Sequence, residues 1–123
     1  MFARLVMAAA AALLTVPAIG FAAVSAPKPA APADDATVAT MPAFTWAKAK
    51  NARLYELQVA ADEAFGSIVS GGTIRTANTA AALTKAVPDG TYAWRVRGID
   101  ARGKAGEWSS VRNLRKVWTD TPA

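Results

Sequence analysis

The sequence predicts an all-β protein, a two-sheet antiparallel sandwich, and three observations lead there. Gly90–Asp100 alternates strictly: Tyr92, Trp94, Val96 and Gly98 fall on one face, Thr91, Ala93, Arg95 and Arg97 on the other. Arg53–Ala60 alternates in the same way, with Tyr55, Leu57 and Val59 inward and Glu56 and Gln58 outward. Strand-like runs recur at intervals of about 10 residues, separated by turn signals such as Pro88-Asp89-Gly90. A helix would require apolar residues at i, i+3 and i+4, and no segment after residue 25 carries that pattern.

The first 25 residues stand apart. Leu5–Val24 is almost wholly apolar, Arg4 gives a short positive start, and small residues close the stretch. This is the layout of a helical secretory signal peptide, and residues 1–25 are read as one. Gly20-Phe21-Ala22 and Ala23-Val24-Ser25 both satisfy the small-x-small requirement, so a cut is expected after Ala22 or after Ser25. The alternative is an uncleaved anchor, because about 20 apolar residues can span a bilayer; the abundance of Ala and the presence of Pro17 favour cleavage. The chain is thus expected to be exported, to the periplasm or the cell exterior, and to meet a membrane only if the signal stays on.

The chain has 123 residues, of which 53% are hydrophobic, with no Cys and no His. Without Cys there is no lipid-attachment site and no disulfide, so the core alone must hold the exported domain together. Loss of residues 1–25 removes Arg4 and no acid, leaving 13 of the 14 bases against 9 acids, a net charge of +4. That balance suits a soluble domain with a weak attraction to anionic surfaces, and no nucleic-acid partner is expected.

Along the remaining chain, residues 26–36 hold three prolines and no large apolar side chain, and are read as an extended tether leading into an edge strand. The domain proper is placed at residues 37–119. Phe44-Thr45-Trp46 is a short strand delivering Trp46 to the core. Asp62–Gly66 is a turn with Phe65 tucked back as an anchor. Ser67–Arg75 is β-rich but interrupted by Gly71-Gly72, which implies a bulged strand or a hairpin turning there. Thr79–Leu83 is a weaker strand, Ala101–Gly106 a polar loop, and Trp108–Trp118 the last strand. Val111 and Leu114 cannot both face inward in a regular strand, so a bulge is expected between them. The expected core is Trp46, Tyr55, Leu57, Val59, Leu83, Tyr92, Trp94 and Val96.

Three pieces together carry a family resemblance: Phe44-Thr45-Trp46; Tyr55–Ala60 with Asp62 and Phe65; and Asp89–Asp100 followed by Gly103, Gly106 and Trp108-Ser109. In this order and spacing the chain resembles the bacterial fibronectin type III-like domains of exported and cell-envelope proteins. The resemblance implies a seven-stranded immunoglobulin-like sandwich with Trp46 on strand B, Tyr55–Ala60 as C, Tyr92–Ile99 as F and Trp108 onward as G. It also implies that Tyr92 is the tyrosine-corner residue. Trp94 departs from the animal pattern, and no Arg-Gly-Asp tripeptide supports integrin-type adhesion.

Enzymatic chemistry finds little support. With neither His nor Cys, the usual nucleophile triads and zinc ligands are missing. Asp34-Asp35 reads as a pair of solvated turn acids, and Asp62-Glu63 could join Asp100 around calcium only if their loops met at one end of the sandwich. Neither glycine pair precedes a helix, so no phosphate loop is expected. No cofactor, metal or catalytic residue is assigned.

What remains is a basic hairpin: Arg95 and Arg97 on F, Arg102 and Lys104 in the loop, Arg112, Arg115 and Lys116 on G, seven of the 13 bases. One reading is a basic face for an anionic polymer or glycan; the other is a solvated sheet face partly neutralised by Glu56 through cross-strand pairs. Trp108 and Trp118, harder to bury, are the candidates for sugar stacking. The expected function is that of a non-enzymatic binding or structural module of the cell envelope, offering a sheet face or edge to a protein partner. The alternative is binding of an anionic polymer or glycan through the hairpin.

Overall fold

The computed structural model of the protein describes residues 23–118. The helical leader expected over residues 1–25 lies outside them, apart from Ala23, Val24 and Ser25. Among the described residues, nine strand segments form two sheets. The smaller sheet has the order β1 (Pro29–Ala31), β3 (Phe44–Trp46), β6 (Ala80–Ala81). The larger runs β2 (Ala36–Val38), β9 (Arg112–Lys116), β7 (Gly90–Ile99), β4 (Leu54–Ala60), β5 (Ile68–Thr76), with β8 (Ala105–Trp108) also on β7.

The two alternating segments of the sequence are the central pair. β4 and β7 run antiparallel in an unbroken register from Leu54 opposite Ile99 to Ala60 opposite Ala93. Residues opposite one another share a face, so Tyr55, Leu57 and Val59 turn inward together with Gly98, Val96 and Trp94. They meet Phe44 and Trp46 from the smaller sheet. The Phe44 and Trp94 rings pack edge to face at 5.2 Å, and Trp46 lies 5.7 Å from Tyr55. Every residue of the expected core packs into this cluster, Leu83 only partly buried, together with Phe44, Ala49, Val87 and Leu114. The indole N–H groups of Trp46 and Trp94 are buried without a hydrogen-bond partner, a cost that ring packing has to outweigh.

The glycine-interrupted segment is one bulged strand. Along β5, Thr73 pairs with Gln58 and Ile68 with Ala60, so Val69–Gly72 are looped out against Val59 alone, with Gly71 at φ 71°.

Three expectations need correction. Residues 26–36 are built into the sandwich: β1 pairs with β3, and β2 crosses to the other sheet to pair in parallel with β9. The domain thus takes in residues well ahead of position 37. Prolines leave this segment short of N–H donors but rich in carbonyls. Arg112 satisfies them, donating at 2.9 Å to the carbonyls of Pro29, Ala30 and Pro32. Asp34 is exposed in a turn, as expected, and its carboxylate also accepts the Asn113 N–H at 2.8 Å, capping β9.

The last strand is also broken, ahead of the predicted bulge. Ser109–Val111 interrupts it, and Ser109 fills the gap by exchanging bonds with Val96: its N–H donates to the Val96 carbonyl at 2.8 Å and its hydroxyl accepts the Val96 N–H at 3.0 Å. From Trp108 to Arg112 the strand advances four positions while its partner advances three, from Arg97 to Trp94. That extra residue turns Leu114 inward. Finally, the weaker strand expected over Thr79–Leu83 is only the two residues of β6.

Because Trp94 is fully buried and bridges both sheets, Trp94→Ala is expected to cost about 3–5 kcal/mol in chemical unfolding. A loss below about 1 kcal/mol, in the range of ordinary surface substitutions, would contradict its place at the centre of the core.

Candidate binding face

The register that turns Trp94 inward turns Arg95 and Arg97 outward, opposite Gln58 and Glu56. There they enter a continuous stack. The Arg95 guanidinium lies 4.0 Å from the centre of the Phe65 ring and 4.0 Å from that of Trp108; Arg97 packs on Trp108 at 4.3 Å. Arg95 donates twice to Oε1 of Gln58, at 2.8 and 3.1 Å. Arg97 reaches Oε1 of Glu56 at 2.6 Å, and Arg75 from β5 reaches Oε2 at 3.0 Å. The outer face therefore carries the sequence Phe65, Arg95, Trp108, Arg97, Glu56, Arg75, drawn from four strands and one turn.

Each member is held from below. Phe65 sits at φ 58°, an unusual backbone for an aromatic residue. The turn enforces it: the Phe65 N–H donates to the Asp62 carbonyl at 3.1 Å, and the Asp62 carboxylate accepts the N–H groups of Gly66 and Ser67 at 3.0 and 2.9 Å. Those bonds hold the Asp62 carboxyl below its usual range. Glu56 shows a contest. Burial alone would raise its carboxyl, but the hydrogen bonds and charges of Arg75 and Arg97 outweigh burial and hold it below the ordinary value. Burial pushes the Arg95 guanidinium down, aided by repulsion from Arg97.

The seven bases do not form one face. Arg95 and Arg97 belong to the stack. Arg112 stands opposite Trp94, on the inward side, and holds β1. Lys116 pairs with Asp89 at 3.0 Å beside the turn that precedes β7. Arg115, opposite Thr91, is exposed on the outer side. Arg102 and Lys104 lie in the loop after β7, where their N–H groups both donate to Asp100 Oδ1 at 2.9 Å. Arg75 completes the clamp and was missed, because the glycine interruption hides the register of its strand. The expected Glu56 cross-strand pairing is present. Trp108 stacks on arginine, and Trp118 is 59% exposed.

The calcium arrangement fails on topology. Asp62 follows β4 and Asp100 follows β7, and these strands run antiparallel, so the two acids sit at opposite ends of the sheet. Among the described residues, no three acidic side chains gather into a metal-binding group.

No protein-family model and no curated protein matches the sequence. Solved structures do. An Fn3-like protein from Clostridium thermocellum aligns over 81% of this chain and 100% of its own, with a TM-score of 0.58 at 18% identity. The sixth fibronectin type III domain of human fibronectin type III domain containing protein 3 aligns over 89% and 97%, also at 0.58 and 18%. Another fibronectin type III domain described from that human protein gives 0.58 at 13% identity, over 87% of this chain and 98% of its own.

The fold is that of a fibronectin type III domain.

In its terms β3 is strand B, β4 is C, β5 is C′, β6 is E and β7 is F. The A strand is split into β1 and β2, and G into β8 and β9. The tyrosine corner is in place, the Tyr92 hydroxyl donating to the Pro88 carbonyl. Burial raises its phenol above the ordinary value.

The Glu56 clamp gives this domain a signature in acid. A carboxyl held below its unfolded value contributes stability that is full above that value and is lost as pH falls through the folded value. Stability should therefore decline below pH ~4.3, the ordinary glutamate value, and Glu56→Gln should flatten that part of the curve. Denaturant midpoints measured from pH 7 to pH 2 test this; identical slopes for wild type and variant would refute the clamp.

Proposed function

We propose that the chain is an exported, non-enzymatic fibronectin type III-like module of the cell envelope, which presents the outer face of its larger sheet to a protein partner. The observation that carries this reading is the Phe65–Arg95–Trp108–Arg97 stack. Aromatic and arginine side chains are the residues most enriched at protein interfaces. Here they are already locked in one arrangement, so little side-chain entropy remains to be lost on docking. Export is supported by the composition of residues 1–25. The absence of His and Cys from the sequence supports a binding role over catalysis.

The anionic-polymer reading is less well supported. Such a ligand calls for several bases turned outward together. Arg95, Arg97, Arg112 and Lys116 are instead engaged by partners within the domain.

A photo-cross-linking residue tests both. Thr73 is exposed on β5 on the outer face of the larger sheet, and Ala80 is exposed on β6 in the smaller one. In intact cells of the source organism, protease-sensitive adducts are expected from Thr73 and not from Ala80. Adducts from Ala80 alone, or from neither position, would refute the reading. A protease-resistant adduct that disappears with added salt would support the polymer instead.

A further inference from the structure

Val24 is only 5% exposed, as deeply buried as the core, although it stands where the sequence places the end of a leader. It closes the end of the sandwich at two glycines. A Cβ on Gly98 would come within 2.6 Å of a Val24 methyl carbon, and one on Gly106 within 2.5 Å of the Val24 carbonyl oxygen. Both glycines thus leave a seat that any side chain would fill, and Val24 occupies it. Its neighbours are bonded too. Asn51 Nδ2 donates to the Ala23 carbonyl at 3.2 Å, the Ser25 N–H to the Lys50 carbonyl at 3.4 Å, and the Ala47 N–H to the Lys28 carbonyl at 2.9 Å.

We propose that the leader is removed between Ala22 and Ala23, so that the mature domain begins at Ala23 and keeps Val24 as a structural plug. The inference rests on the export reading. Both small-x-small sites satisfy a leader peptidase, and the fold separates them. A cut after Ser25 removes Val24 and opens Gly98 and Gly106 to water. A cut after Ala22 preserves every contact of the plug. It also leaves Ala23 in a cleft of about 320 Å³ whose charged lining is Asp100, Arg102 and Lys104. The step is hydrolysis of one peptide bond by a leader peptidase of the exporting cell. Water adds across it, Ala22 leaving with the carboxylate and Ala23 gaining the amine, which protonates.

The test is N-terminal sequencing and intact mass of the product when the full chain is expressed in an exporting bacterial host. The expected start is Ala23-Val24-Ser25-Ala26. Ser25→Leu, which spoils only the second site, should leave that start unchanged, and Ala22→Leu should abolish it. A product beginning at Ala26 overturns the inference while leaving export standing. A full-length product overturns the cut and the export reading together. For the plug itself, Val24→Asp should lower the melting temperature of the processed protein by several degrees, and an unchanged melt would refute it.

Discussion

Everything in this domain depends on the register between β4 and β7. The seven paired positions from Leu54–Ile99 to Ala60–Ala93 decide two things at once. They place Tyr55, Leu57, Val59, Trp94 and Val96 in the core, and they bring Glu56 and Gln58 against Arg97 and Arg95 outside. Side chains alternate with a period of two, so a slip of one residue would bury the arginines and expose the tryptophan. Hydrophobic burial penalises that slip on one face, and the Glu56 clamp penalises it on the other. Lacking disulfides, the fold uses both.

The central pair was legible because alternation is a local property, readable from the side chains of one strand at a time. The outer stack was only half legible for the same reason. Arg95, Arg97 and Glu56 follow from β4 and β7, but Arg75 depends on how β5 resumes pairing after its bulge. Grouping Arg112 with the outward bases failed for a definite cause. Continued without a break from Trp108, which faces outward opposite Arg97, the strand would turn Arg112 outward as well. The residue inserted around Ser109 reverses that parity, so Arg112 turns inward and Leu114 enters the core. The mismatch between Val111 and Leu114 announced a bulge, but not its place.

The N-terminal segment misled for another reason. Three prolines and small side chains describe a solvated tether well, and nothing nearby in sequence contradicts that. The carbonyls of Pro29, Ala30 and Pro32 are bonded by Arg112, some eighty positions away. Val24 fits against glycines equally distant along the chain. An edge strand poor in its own hydrogen-bond donors is thus fixed by a guanidinium at one point and a plug at another, and the first sheet edge is closed without a longer strand.

The central claim is that one register couples the core to an ordered outer face. A double-mutant cycle on Glu56→Gln and Arg97→Ala, read by chemical unfolding at neutral pH, tests it most directly. Residues in contact within one charge network couple by about 0.5–3 kcal/mol, and the account predicts a favourable coupling of about 1 kcal/mol or more between these two. Additive effects, with coupling indistinguishable from zero, would mean that the arginines lie loose in solvent and that the outer face is not an ordered surface at all.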